Sequence, residues 1–149
     1  MTADSVAITN LLYRYAECMD NGDFAGAAGL FGTARIRIAA GDDGFTDAAG
    51  ILAIFESTVT RYADGTPRTK HVTTNAIVEI DADGTAAAAR SYYTVFQQVD
   101  EFALQPIIAG RYHDRFAKTD GVWRWTERDY TNIDLIGDLS RHTSTELPK

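Results

Sequence analysis

Residues 69–99 read TKHVTTNAIVEIDADGTAAAARSYYTVFQQV, and this stretch decides the fold. Its two parts, Thr69 to Ile80 and Thr85 to Val99, are long runs of strand-forming residues separated by Asp83-Gly84. An Asp-Gly pair accepts positive φ, so the chain is expected to fold back there as a tight antiparallel hairpin. The same pattern recurs downstream, where Gln105 to Lys118 and Val122 to Asn132 flank Asp120-Gly121. Strands as long as the middle two do not stay flat, and a strongly curved sheet is expected.

Upstream the period changes. Ile8, Leu11, Leu12, Tyr15 and Met19 recur at helical spacing behind Asp4 and Ser5, either of which suits an N-cap. Asn21-Gly22-Asp23 interrupts this helix, Asp23 caps a short second one from Phe24 to Phe31, and Gly32 ends it. Arg35-Ile36-Arg37-Ile38 alternates as a strand, and Gly41-Asp42-Asp43-Gly44 supplies a turn. A third helix is expected from Asp47, carrying Ile51, Leu52, Phe55, Val59 and Tyr62, until Asp64-Gly65-Thr66-Pro67 stops it. Helices followed by meandering strands describe one α+β domain over residues 1–149, with the helices packed on one face of a bent antiparallel sheet. The stretch 138–149, with its Ser, Thr and Pro148, reads as a loosely ordered tail.

Composition narrows the function. The net charge of −7 comes from 21 acidic and 14 basic residues, and no basic stripe is present to meet nucleic-acid phosphates. No apolar run approaches the ~20 residues of a membrane span, and no signal peptide is visible, so a cytoplasmic protein is expected. One cysteine, Cys18, makes no internal disulfide. His71, His113 and His142 lack metal-ligand spacing, and neither a phosphate-binding glycine loop nor a nucleophile elbow occurs, which leaves cofactor-free chemistry.

Two residues then stand out. Asp20 closes the first helix, where a carboxylate is unfavourable unless something positive faces it. His71 opens the decisive strand. A neutral imidazole oriented by a carboxylate is a general base near physiological pH. Its plainer reading is a satisfied core histidine, and that of Asp20 is a turn former.

The order of these elements, with Arg14-Tyr15, Asp20, Asp23, His71-Val-Thr-Thr-Asn75, Gly110-Arg111-Tyr112-His113-Asp114 and Asp120-Gly121-Val122-Trp123-Arg124 leading to Arg128, resembles the nuclear transport factor 2-like superfamily. Within it, the chain is similar to SnoaL-like and scytalone dehydratase-like proteins. The resemblance, running from about Ile8 to Gly137, implies a cone-shaped curved sheet whose helices enclose one deep, largely apolar pocket. Scytalone dehydratases and the hexachlorocyclohexane dehydrochlorinase pair a histidine matching His71 with an aspartate matching Asp20. The dehydrochlorinase has an arginine matching Arg128, and bile-acid dehydratases have a tyrosine matching Tyr15. The chain also departs from these patterns. Phe96 stands where scytalone dehydratase has its second histidine, and Tyr15 replaces a lysine of the dehydrochlorinase.

The expected site is therefore His71, Asp20, Tyr15 and Arg128 as catalytic groups. Asn75, Tyr92, Tyr93 and Tyr112 are expected to offer polar tips to a ligand, with Phe55 and Phe96 on the wall. Tyr15 reads equally as core, and Arg128 as a surface charge paired with Glu127 or Asp129. The implied activity is a lyase, dehydratase or dehydrohalogenase-like, acting on a small apolar or aromatic molecule. An isomerase or polyketide cyclase using the same base is the alternative, as is a binding module without catalysis. A homodimer or homotrimer assembled through the sheet is expected.

Overall fold

In the computed structural model, residues 2–144 are described. Helix α1 spans Ala3–Asp20, α2 Phe24–Phe31 and α3 Ala48–Thr58. The strands are β1 (Arg35–Arg37), β2 (Phe45–Thr46), β3 (Thr69–Ile80), β4 (Ala86–Val99), β5 (Phe102–Thr119), β6 (Val122–Asp129) and β7 (Ile133–Ile136). They form one seven-stranded, unclosed sheet in the order β2-β1-β6-β5-β4-β3, with β7 added to β5. The architecture is α+β, as expected.

Local chemistry explains most boundaries. Asp23 and Asp47 cap α2 and α3 by accepting from the Gly26 and Gly50 amides at 2.8 and 2.9 Å. Gly32 ends α2 at φ +57°. Asp120 and Gly121 both take positive φ, 53° and 77°, the backbone of a two-residue hairpin turn.

Some elements differ from expectation. The cap of α1 is Thr2, which accepts from the Ser5 amide; Asp4 instead bonds Lys118 Nζ at 3.0 Å and Trp123 Nε1 at 2.9 Å, tying the helix start to the β5–β6 hairpin. The sheet is mixed, because β1 runs parallel to β6. The last strand stops at Asp129, and Ile133–Ile136 forms a separate strand on the first half of β5. The long β5 thereby serves two partners in succession, β7 and then β6.

The concave face of the sheet carries the core. Ile8, Leu12, Tyr15 and Met19 of α1 pack with Phe24, Phe31 and Phe55, and against Tyr93, Tyr112, Phe116 and Trp125 from the strands. The segment after β7 is also part of this packing. Thr143 bridges Val59, the Thr60 amide donates to His142 O, and the Ser144 amide donates to Thr58 O, all on the chain leaving α3. Residues 142–144 are thus pinned by backbone pairing, where a loose tail was expected; 145–149 lie outside the described residues. No described helix is long and apolar enough to cross a membrane.

Candidate functional site

β3 is an edge strand, and its alternation turns Thr69, His71 and Thr73 toward α1. The end of α1 lies against that edge. Asp20 there accepts three hydrogen bonds: from His71 Nδ1 at 2.6 Å, from the His71 backbone amide at 2.8 Å and from Thr69 Oγ1 at 2.9 Å. The amide involved is one that β3, as an edge, has no further strand to satisfy. The side chains of His71 and Asp20 are only 8% and 9% exposed. With Nδ1–H given to the carboxylate, Nε2 keeps the lone pair that a base needs. A groove of about 520 Å³ between α1 and β3, with Ala16, Asp20, His71 and Thr73 among its walls, opens beside the pair.

Tyr15 stands edge-on to His71, ring centroids 6.5 Å apart. Its hydroxyl accepts from Tyr130 at 2.8 Å, and burial pushes its pKa well above the ordinary phenol value, with the neighbouring Tyr130 adding to the effect. Tyr15 is therefore held as a neutral phenol, suited to donate a hydrogen bond and unsuited to act as a base. Tyr93 and Tyr112 are buried and stacked at 4.3 Å; burial raises Tyr93 to about 12. His113 faces outward, as the alternation with Tyr112 requires.

Arg128 is fully buried, and neither Glu127 nor Asp129 is its partner. Cross-strand register places Asp114 opposite it, and the two form a forked pair through Nε (2.5 Å) and Nη2 (3.0 Å). Burial is the largest single effect and would lower the guanidinium pKa, but the charge and hydrogen bond of Asp114, joined by the neighbouring Tyr130 and Tyr112 phenols, together outweigh it and drive the value far up. The guanidinium also lies 3.8 Å from the Tyr112 ring centroid and 4.7 Å from that of Tyr15. Its charge is thus balanced, and its surroundings are filled by aromatic side chains.

Four of the residues expected to line the ligand lie elsewhere. Phe96 and Tyr92 point to the opposite side of the sheet from Tyr93, Val95 and Gln97, because one residue of β4 separates the two faces. Asn75 sits in a β-bulge between Thr74 and Ile77 with φ +41°, exposed and bonded by Thr74 Oγ1. Phe55 packs on Phe24, at 6.0 Å, on the helical side of the core. Thr69, Asp114 and Tyr130 take part, against Asp20, Arg128 and Tyr15, without having been singled out as site residues. The period-2 pattern relates Thr69 to His71 and Asp114 to Tyr112.

A family profile described as the SnoaL-like domain matches residues 1–129. The chain belongs to the SnoaL-like family. Among solved structures this SnoaL-like chain is similar to an Asp-to-Asn variant of Rv3472, a protein of unknown function from Mycobacterium tuberculosis. Identity is 25%, over 89% of this chain and 73% of that one, with a TM-score of 0.69. An NTF2-like protein of cystatin-like fold from Novosphingobium aromaticivorans shares 21% identity over 93% and 86% of the two chains, TM-score 0.69. A protein from the same organism, proposed to be a scytalone dehydratase, shares 21% over 87% and 86%, TM-score 0.62. The last two likenesses bear on fold. No curated protein sequence matches the chain.

Proposed function

We propose that this SnoaL-like protein is a cofactor-free lyase in which His71, oriented by Asp20, removes a proton from a small apolar or aromatic molecule. The observation that carries the reading is the 2.6 Å contact between His71 Nδ1 and an Asp20 carboxylate already fixed by two further donors. Such a carboxylate holds the ring in one tautomer and stabilises the imidazolium formed when Nε2 takes a proton. Tyr15, a neutral phenol beside the imidazole, supplies a hydrogen bond to a developing oxyanion. Arg128 supports the site through its packing on Tyr15 and Tyr112, since its charge is committed to Asp114. An isomerase or cyclase would begin with the same proton removal.

The ring opening of 5-nitrobenzisoxazole is one proton abstraction with a coloured product, and it tests the base without knowledge of the natural substrate. His71→Ala is expected to lose roughly 10²- to 10⁴-fold in rate, the usual contribution of a positioned base. Asp20→Asn should fold and lose much of the same rate, and the double variant should be little worse than His71→Ala, because the two act as a unit. Wild-type turnover in His71→Ala removes histidine as the base and favours the binding module.

A further inference from the structure

Two grooves meet at one lysine. The larger, the groove of about 520 Å³ beside His71, is also walled by Tyr13 and Glu17 from α1 and by Lys70 and Val72 from β3. The smaller, of about 360 Å³, is bounded by the end of α1, the start of β3 and the end of β4, and its walls include Asp64, Arg68, Phe96 and Leu104. Asp20, Asn21 and Lys70 line both, so the two adjoin there.

Most charges along these walls are already matched. Asp20 accepts three hydrogen bonds, one of them from the His71 ring. Asp64 accepts from the Thr66 amide and hydroxyl at 2.9 Å each and from Arg68 Nη1 at 3.1 Å. Arg68 itself takes φ +59°, in the left-handed region that a side chain other than glycine disfavours, and its carbonyl accepts from the Gln98 amide at 3.3 Å. Lys70 is different. It is exposed, and among the described residues it belongs to no ion pair. Glu17 is the other wall charge without one, and it borders the larger groove but not the smaller. Apolar surface flanks the ammonium on both sides. Val72 and Tyr13 are 39% and 47% exposed in the larger groove, Leu104 is 65% exposed in the smaller, and Phe96 stands across from Lys70 in the β3–β4 register. A solvated lysine needs no acid, but a free ammonium set between exposed apolar side chains matches a molecule that is apolar with one anionic end.

We propose that Lys70 binds a carboxylate, so that the substrate of the His71 site is a small carboxylic acid with an apolar or aromatic body, held by its anionic end one residue away from the base. The inference rests on the proton-abstraction reading and names the substrate class for it. A singly charged anion suits one free ammonium. A phosphate dianion would call for a second free cation, and the Arg68 guanidinium is engaged by Asp64. Glu17 sets the direction in which the molecule lies. Because like charges repel, the carboxylate sits at the junction by Lys70 and Asn21, and the uncharged body extends along Ala16 and Val72 past His71, into the part of the groove that Glu17 borders. Lys70 and Glu17 are both exposed, so each contributes modestly and both effects fade with salt.

Benzoate and benzamide, alike in shape and different in charge, are the probes, read by NMR titration of the His71 ring and the β3 amides at one pH. Benzoate is expected to bind roughly two- to fivefold more tightly than benzamide at low salt, the worth of one exposed ion pair, and to lose that advantage in 1 M salt, where the screening length is about 3 Å. Lys70→Gln should bring benzoate down to the affinity of benzamide, Lys70→Arg should keep the preference, and Glu17→Gln should increase it. All three variants change exposed side chains, so the fold is kept. Equal affinities for the two probes, a preference unchanged in Lys70→Gln, or shifts confined to residues outside both grooves overturn the inference. The benzisoxazole rate of His71→Ala reports separately on the base. Wild-type turnover there, with the benzoate preference intact, sinks proton abstraction and leaves the carboxylate site standing.

Discussion

Arg128 and Asp114 are each fully buried, and a buried ion pair is costly to break even where it adds little net stability, because one partner alone leaves an uncompensated charge. Asp114→Ala removes both the countercharge of Arg128 and the acceptor of Trp125 Nε1, which lies 2.9 Å away. It is expected to lower the unfolding free energy by about 3–5 kcal/mol in urea titration. Replacing both residues, Arg128→Met with Asp114→Leu, should recover most of that loss; a double variant as unstable as the single would show that the charge is not what matters. At this scale the His71–Asp20 pair was legible, because a histidine at a strand start and an acid at an unfavourable helix end each call for a partner. The Arg128 pair was not. Which acid faces an arginine depends on cross-strand register, and a sequence-adjacent acid such as Glu127 lies on the other face of its own strand and meets Arg35 instead.

The strands show how far period and turn chemistry carry. The Asp-Gly joints, the Asp caps and the glycine stop all lie where their backbone preferences place them, so the order and type of the main elements could be read directly. What escaped were features of pairing: the two-residue β2, the parallel contact of β1 with β6, and the bulge that turns Asn75 outward. A bulge shifts the parity of every residue beyond it, and Phe96 shows the same sensitivity, since one position separates the inner face of β4 from the outer. The α1–α2 turn offers a test at this scale. Gly22 has φ +74°, and a Cβ added there would stand 2.1 Å from Gly65 O, while Arg61 Nε and Nη2 bond the Gly22 carbonyl at 3.1 and 2.9 Å. Gly22→Ala is expected to cost about 2–4 kcal/mol, from the left-handed backbone and the clash together. Gly84→Ala, with a similar φ of +73° and open space, should cost only about 1–2 kcal/mol. Equal losses in the two denaturation curves would show that the Gly22–Gly65 approach carries no energy of its own.

Across the whole molecule, the last described segment closes on the exit of α3, and burying His142 there makes global stability depend on pH. An imidazole whose pKa falls from 6.5 to about 4 on folding is neutral in the native state, while the unfolded chain takes up a proton below its ordinary value. Between those two pH values the unfolded state binds more protons than the native one, so stability rises with pH across the window. The loss therefore begins as pH drops through about 6.5, is complete near 4, and adds nothing above or below. Its size, from that gap at 1.36 kcal/mol per pH unit, is on the order of 3 kcal/mol for a side chain this buried. Asp4, Asp64 and Asp134, whose pKa values are lowered chiefly by hydrogen bonds from Trp123, Thr66 and Arg111, also shed stability in acid. They are common to any variant at position 142, so a difference measurement cancels them. Unfolding free energies of the parent and of His142→Gln, measured in urea at pH 7 and pH 4, should show the parent losing more by on the order of 3 kcal/mol. The excess should accumulate between pH 6.5 and 4. Parallel curves for the two proteins would mean that the imidazole is not buried neutral, and would detach that segment from the core it is argued to complete.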